Sequence, residues 1–183
     1  MLLLVSFATG QSIETEWYSE TETNGIIIQN SYPKGGPYPG PTEKNFNHSY
    51  LVFFTRVTNT TESPLEFTID FTADSIAIPN SPNTFVKLFL PPDVMTMEKR
   101  PMFSYGFTEL TSFDEPTSFQ CRLNPEEDVL FYVIAFFYQT NAEAGLESRG
   151  GNRAELVMRE HGLYYNMPPQ VDNIPCGSII LDQ

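Results

Sequence analysis

Chemistry in this chain has few residue types to draw on. It holds two histidines, His48 and His161, two cysteines, Cys121 and Cys176, and 23 acids against 10 bases. No Gly-x-Ser-x-Gly elbow, phosphate-cradling glycine loop or His-Glu-x-x-His run is present. His161 precedes Gly162 in what reads as a turn, where histidine tolerates an unusual backbone, and a structural role is expected of it. His48 has no neighbouring His or Cys with which to share a metal. A serine-nucleophile mechanism would need one of these two as base, oriented by an acid. No catalytic residue, metal ligand or cofactor is assigned on this basis.

Paired carboxylates are the one catalytic idea that suits the composition. Asp70 and Asp74 flank the end of one predicted strand, and Glu126, Glu127 and Asp128 cluster at a turn. A glycosidase needs two carboxylates roughly 5 to 9 Å apart, and in so acidic a chain some pair meets that spacing by chance. The same acids could hold Ca²⁺, but no Asp-x-Asp-x-Asp loop supports it. Solvated turn acids are the expected reading. Asn47-His48-Ser49 and Asn59-Thr60-Thr61 match the N-glycosylation acceptor pattern.

The elements that must position these residues are strands. Tyr50 to Phe71 reads as two strands with a polar connection, Thr58 to Pro64, and is expected to be a central hairpin. Leu65, Phe67, Ile69 and Phe71 alternate with Glu66, Thr68 and Asp70, so one face is apolar. The first strand is apolar on both faces, with Leu51, Phe53 and Val57 on one and Tyr50, Val52 and Phe54 on the other. It needs cover on both sides and belongs in the middle of a sheet. The run Val129 to Tyr138 is apolar at ten consecutive positions, rich in β-branched and aromatic residues, and reads as a second central strand. Further strands are expected at Gly25–Gln29, Ser75–Ile78, Phe85–Leu90, Val94–Met97, Phe119–Leu123 and Pro175–Leu181. Arg153–Arg159 and Leu163–Met167 read as a hairpin. With 15 Phe, 9 Tyr and 15 Pro, and no long amphipathic helix, the chain is expected to be all-β. The expectation is an antiparallel β-sandwich, immunoglobulin-like, of eight or nine strands, with an antiparallel barrel as the alternative.

Residues 1–10, Met-Leu-Leu-Leu-Val-Ser-Phe-Ala-Thr-Gly, resemble the end of a secretory signal peptide, although no Lys or Arg precedes the apolar run. The alternative is an N-terminal strand. Residues 11–183 then form a single domain, secreted or periplasmic. No stretch approaches the ~20 apolar residues of a membrane-spanning helix. The net charge of −13 and a pI near 4.4 repel phosphate backbones, so nucleic acid is not an expected partner. Asn30 to Asn47, with four prolines and three glycines, reads as a long surface loop. Its Tyr32 and Tyr38 are the first candidates for ligand contact, with Trp17 a third that could instead pin a terminal strand. In an oxidising compartment Cys121 and Cys176 are expected to form a disulfide, worth about 4 kcal/mol on the chain-entropy model.

The stretch Val57-Thr-Asn-Thr-Thr-Glu-Ser-Pro64-Leu65-x-Phe67-x-Ile69 resembles hairpins of exported bacterial immunoglobulin-like β-sandwich domains, and Leu123-Asn-Pro-Glu-Glu before an apolar strand is similar. The resemblance covers about a third of the chain and implies a fold and an extracytoplasmic setting. It carries over no catalytic residue. The expected function is therefore non-catalytic, binding or structural association with a protein or carbohydrate surface. The alternative is a carbohydrate-active enzyme using paired carboxylates.

Overall fold

The structure, a computed structural model, describes residues 17–38, 48–79, 81, 83–108, 110, 114–140, 153–168 and 171–181, with residues 36–38 described by their backbone. These residues form twelve strands: β1 (Ser19–Thr23), β2 (Ile26–Asn30), β3 (Lys34–Tyr38), β4 (His48–Asn59), β5 (Leu65–Phe71), β6 (Ile76–Ala77), β7 (Thr84–Phe89), β8 (Thr117–Leu123), β9 (Asp128–Gln139), β10 (Glu155–Arg159), β11 (Gly162–Met167) and β12 (Val171–Leu181). The larger sheet runs β1-β2-β4-β9-β7-β6, with β3 also paired to β4, and the smaller β10-β11-β12-β5-β8. All pairings are antiparallel, one sheet is curled as a half-barrel, and no α-helix occurs among the described residues. The all-β expectation holds. No helix among the described residues is long and apolar enough to cross a membrane.

The strands β4 and β9 lie side by side at the centre of the larger sheet, as their two-sided apolar patterns require. One face of each points into the core shared with the smaller sheet: Phe53 and Val57 from β4 and Phe131, Val133 and Ala135 from β9 meet Leu65, Phe67 and Ile69 from β5 and Leu156 and Tyr165 from β10 and β11. The opposite face carries Val52, Phe54, Tyr132, Ile134 and Phe136, which would be exposed apolar surface if left bare. The connection between β7 and β8 covers it, burying Met95, Tyr105 and Phe107 against these residues, with Trp17 packed at the side.

Several expectations are corrected. β4 and β5 are not a hairpin, because they belong to different sheets and face one another across the core. The polar link between them arches from sheet to sheet, and the fully buried Asn59 holds it. The Asn59 amide donates to the carbonyls of Ser63 (2.9 Å) and Leu123 (3.0 Å), and its Oδ1 accepts from the backbone N–H of Thr61 (3.0 Å) and from Thr61 Oγ1 (2.7 Å). The same geometry removes Asn59 from the list of glycosylation acceptors, since its amide nitrogen is buried and engaged. Asn47 lies outside the described residues.

The proline-rich stretch 30–47 is not a loop throughout. β3 occupies residues 34–38 and pairs with the first residues of β4. It has one neighbour only, so Pro37 does not break a two-sided ladder. Gly35, with φ of +156°, lies so close to β4 that a Cβ would stand 2.2 Å from the Tyr50 carbonyl oxygen. Residues 94–97 are not a strand either. They belong to the covering segment, with Val94 exposed, Met95 buried and a 3-10 turn starting at Met97. β6 falls within the strand expected at Ser75–Ile78, whereas the short edge elements β1 and β3 carry too few apolar positions to show a period and are not among the expected strands. The leader-like residues 1–10 and the glycine-rich stretch 141–152 lie outside the described residues.

The expected Cys121–Cys176 bridge is absent, and both thiols are free. Cys121 lies on β8 and Cys176 on β12, strands that flank β5 on opposite sides. Cys121 pairs with Phe67, which pairs across its other edge with Ile179, three positions along from Cys176. Strands lie about 4.8 Å apart and rise about 3.4 Å per residue, so the Cα atoms are well beyond the ~7 Å limit for a disulfide. Cys176 is the extra residue of a bulge, where Leu163 faces Gly177 and Tyr164 faces Pro175.

Burial pushes the Cys176 thiol up to about 12, assisted by the charge of Asp70, and the Cys121 thiol up to about 11, assisted by Glu66. An acid with a raised folded-state pKa contributes stability fully present below its unfolded value and lost as pH rises toward the folded value. Cys176 should therefore destabilise the fold between about pH 9 and pH 12, with a slope approaching about 1.4 kcal/mol per pH unit. Denaturant unfolding of wild type and Cys176→Ala over this range isolates it, because the tyrosines titrate in both. Parallel curves for the two proteins would show that the thiol ionises as readily in the fold as in the unfolded chain, contrary to this account.

Candidate functional site

The most unusual backbone in the described residues lies in the covering segment. Ser104 (φ 45°, ψ 30°) and Tyr105 (φ 53°, ψ 32°) are left-handed in succession, and Gly106 follows at φ 73°. For a residue with a Cβ this conformation costs about 1–2 kcal/mol through its clash with the following carbonyl. Two such residues in a row persist only where their surroundings hold them. Here the contacts are many. The Tyr105 hydroxyl donates to the Tyr32 carbonyl at 2.5 Å, and the Tyr132 hydroxyl donates to the Tyr105 carbonyl at 2.7 Å. The Lys34 ammonium lies 4.1 Å from the centre of the Tyr105 ring and donates to the carbonyls of Arg100 (2.6 Å) and Met102 (2.9 Å). The edge of one ring meets the face of the other between Phe54 and Tyr105, centroids 4.8 Å apart. Burial raises the Tyr105 phenol, partly countered by its hydrogen bond with Ser31 and by Arg100.

Beside this turn lies an open groove of about 520 Å³, between residues 31–34 on one side and 97–105 on the other. Phe54, Met97, Pro101 and Tyr105 give it an apolar wall, Ser31 and Tyr32 border it, and Lys34 and Arg100 are its charged lining. Burial, and then the nearby Arg100 charge, push the Lys34 ammonium down. The turn also drives two apolar side chains outward: Phe103 is 77% exposed and Met102 51%.

One of the three residues anticipated for ligand contact lines this groove, and a second packs against Phe54 without lining it. Tyr32 is 49% exposed on the groove. Trp17 is half-buried with its ring edge-on to Phe54, centroids 5.3 Å apart, so it braces the groove wall. Tyr38 keeps its backbone in β3, and its side chain lies outside the described residues. Sequence reasoning missed Lys34, Arg100, Phe103 and Tyr105. The available signal was Lys99-Arg100-Pro101, a basic pair in an acidic chain just before a proline.

The other candidates do structural work. His48 stacks on Phe136, and His161 follows the actual left-handed residue, Glu160, in the β10–β11 turn. Asp128 pairs with Arg56 at 2.7 Å. Glu127 accepts from the Asn124 backbone and side-chain amides, which hold its carboxyl below the usual range. No group of three or more His, Cys, Asp or Glu among the described residues is placed to hold a metal. The chain matches no protein-family model, no curated protein and no solved structure among those with which it was compared.

Proposed function

We propose that the protein is an exported, immunoglobulin-like β-sandwich domain that acts by binding, and that it binds through the groove beside the left-handed turn. One observation carries the reading. Two consecutive strained residues are held by four side chains, Lys34, Phe54, Tyr105 and Tyr132, beside an open groove bordered by Tyr32 and Tyr105. Strain kept in place by its surroundings is a mark of functional sites. A largely preformed concave site with a few polar groups is the usual form of a small-ligand site. Export rests on the leader-like residues 1–10 and on the resemblance of the Val57–Ile69 stretch. The carboxylates anticipated for a glycosidase give no comparable convergence, since Glu127 and Asp128 are occupied in turn and strand contacts.

The test is a small-molecule library screened by ligand-observed NMR against wild type and Tyr32→Ala. Tyr32 is half exposed, so the variant should melt within a few degrees of wild type and lose its hits. Hits that bind both proteins equally, or that are turned over with release of product, would overturn the proposal.

A further inference from the structure

We propose that β8 is a docking edge for a second copy of this chain, the two β8 strands pairing antiparallel about a two-fold axis at Gln120. The ends of the two sheets carry the inference. Among the described residues, β1, β3, β6, β8 and β10 each have a strand neighbour on one side only. An open edge is a template for another strand, and folded proteins blunt it with charge, proline, shortness or a covering contact. β1 bears Glu20 and Glu22, β3 contains Pro37, and β6 is two residues long. On β10 the Asn30 side chain already engages the N–H and C=O of Leu156, at 2.9 and 3.1 Å. β8 is different. Its seven residues, Thr-Ser-Phe-Gln-Cys-Arg-Leu, include no acid, proline or glycine, and its register with β5 runs unbroken from Leu65 opposite Leu123 to Phe71 opposite Thr117. Its one charge, Arg122, is matched within the same copy by Glu66 at 3.1 Å.

The occupant follows from charge. At −13, two copies repel wherever acids face acids, yet no acid lies between Glu115 and Glu126. A strand charged in either sense gains little on an edge whose charge is already matched. β8 laid against itself sets Gln120 opposite Gln120, Ser118 opposite Arg122 and Phe119 opposite Cys121, so no two like charges face each other. Residues directly opposite share one face of a sheet. The second copy's Phe119 and Cys121 would therefore lie beside this copy's own, which are only partly buried against the core. Such a contact is isologous and closes at two copies.

Sedimentation equilibrium of the full chain at low and high salt measures the association. A dimer is expected, and it should tighten as salt is raised, because salt screens the −13 charge of each copy while the β8 contact needs no ion pair between copies. At high salt, where a changed net charge matters least, the double variant Ser118→Lys, Gln120→Lys should weaken the dimer by about tenfold, since it opposes like charges at each facing pair on that side of the strand. Both positions are exposed, so the variant should fold. In a Cys121→Ala background, Gln120→Cys should give a disulfide-linked dimer on mild oxidation and Ser118→Cys should not, because only position 120 faces its own copy. A wild-type chain that stays monomeric at every salt overturns the proposal without recourse to any variant, whether another stretch of the chain or a different protein pairs with β8. A dimer that the two lysines leave intact, or equal cross-linking from positions 118 and 120, overturns it as well.

Discussion

Phe67→Ala should destabilise the protein by about 3 to 5 kcal/mol, while Glu66→Ala, one residue away, should change stability by no more than about 0.5 kcal/mol. Phe67 is fully buried on β5, and its ring packs against Phe131 from the larger sheet (centroids 5.4 Å) and Phe119 from β8 (6.3 Å). Truncation removes the transfer free energy of the ring and leaves a void between two sheets whose backbones cannot close on it. Glu66 points the other way. It pairs with Arg122 at 3.1 Å, with side chains 35% and 52% exposed, and pairs of that kind contribute little. Urea unfolding of the two variants measures both. Similar losses at the two positions would mean that the face of β5 assigned to the core is the wrong one.

The second large effect is expected at Asn30, the last residue of β2. Its side chain is buried and joins the end of β2 in the larger sheet to β10, the edge strand of the smaller. The amide donates to the Leu156 carbonyl (3.1 Å) and to Ser19 Oγ (3.2 Å), while Oδ1 accepts from the Leu156 N–H (2.9 Å) and from Thr55 Oγ1 (3.0 Å). The amide thus takes the place of a strand neighbour for β10, which has no backbone partner on that side among the described residues. Asn30→Leu leaves the Leu156 N–H and C=O without partners in a buried place. Each orphaned group costs about 1 to 3 kcal/mol, so a loss of about 3 kcal/mol is expected. Asn30→Asp keeps the acceptor but loses the donor and buries a charge, so its deficit should shrink as pH falls and the carboxyl is protonated. Thermal unfolding at pH 7 and pH 4 reads both effects. An Asn30→Leu variant as stable as wild type would mean that the seam is held by packing alone.

How much of this was legible in the sequence depended on whether a residue's partner lay nearby or far along the chain. The alternation Leu65, Phe67, Ile69, Phe71 gave the buried face of β5 directly, because a strand's period is a local property. The two-sided apolar runs of β4 and β9 announced both the central position and the second covering layer. The β10–β11 hairpin was readable from its turn. Turn chemistry could not say where the next strand goes: Asn59 and Thr61 satisfy one another in the same way whether the chain returns alongside β4 or crosses the core. The covering segment has neither period, since its residues answer to a surface supplied by other strands. The candidate groove was half legible. Tyr32 stood out among prolines, whereas Lys34 and Arg100 become neighbours only through β3 and the covering segment, which are far apart in the chain. The cysteines show the same limit, because an even pair gives a count but not a distance.

The central pairing of β4 with β9 also governs how the chain reaches this structure. It joins residues 48–58 to residues 128–138, with the whole of the smaller sheet's β5 and β8 between them in sequence. Contacts so distant along the chain incur loop-closure entropy before they return any energy, and topologies dominated by them fold in milliseconds to seconds. Until β9 is in place, β4 is a twelve-residue strand, apolar on both faces, with an open edge at the middle of its sheet. Such an edge can template pairing with another chain. The local hairpins β1–β2, β6–β7 and β10–β11 can close early, but none of them shields it. The interval between making β4 and making β9 is therefore when this protein is most exposed to self-association, and the acidic excess of the chain is at its most useful then, keeping unfinished copies apart.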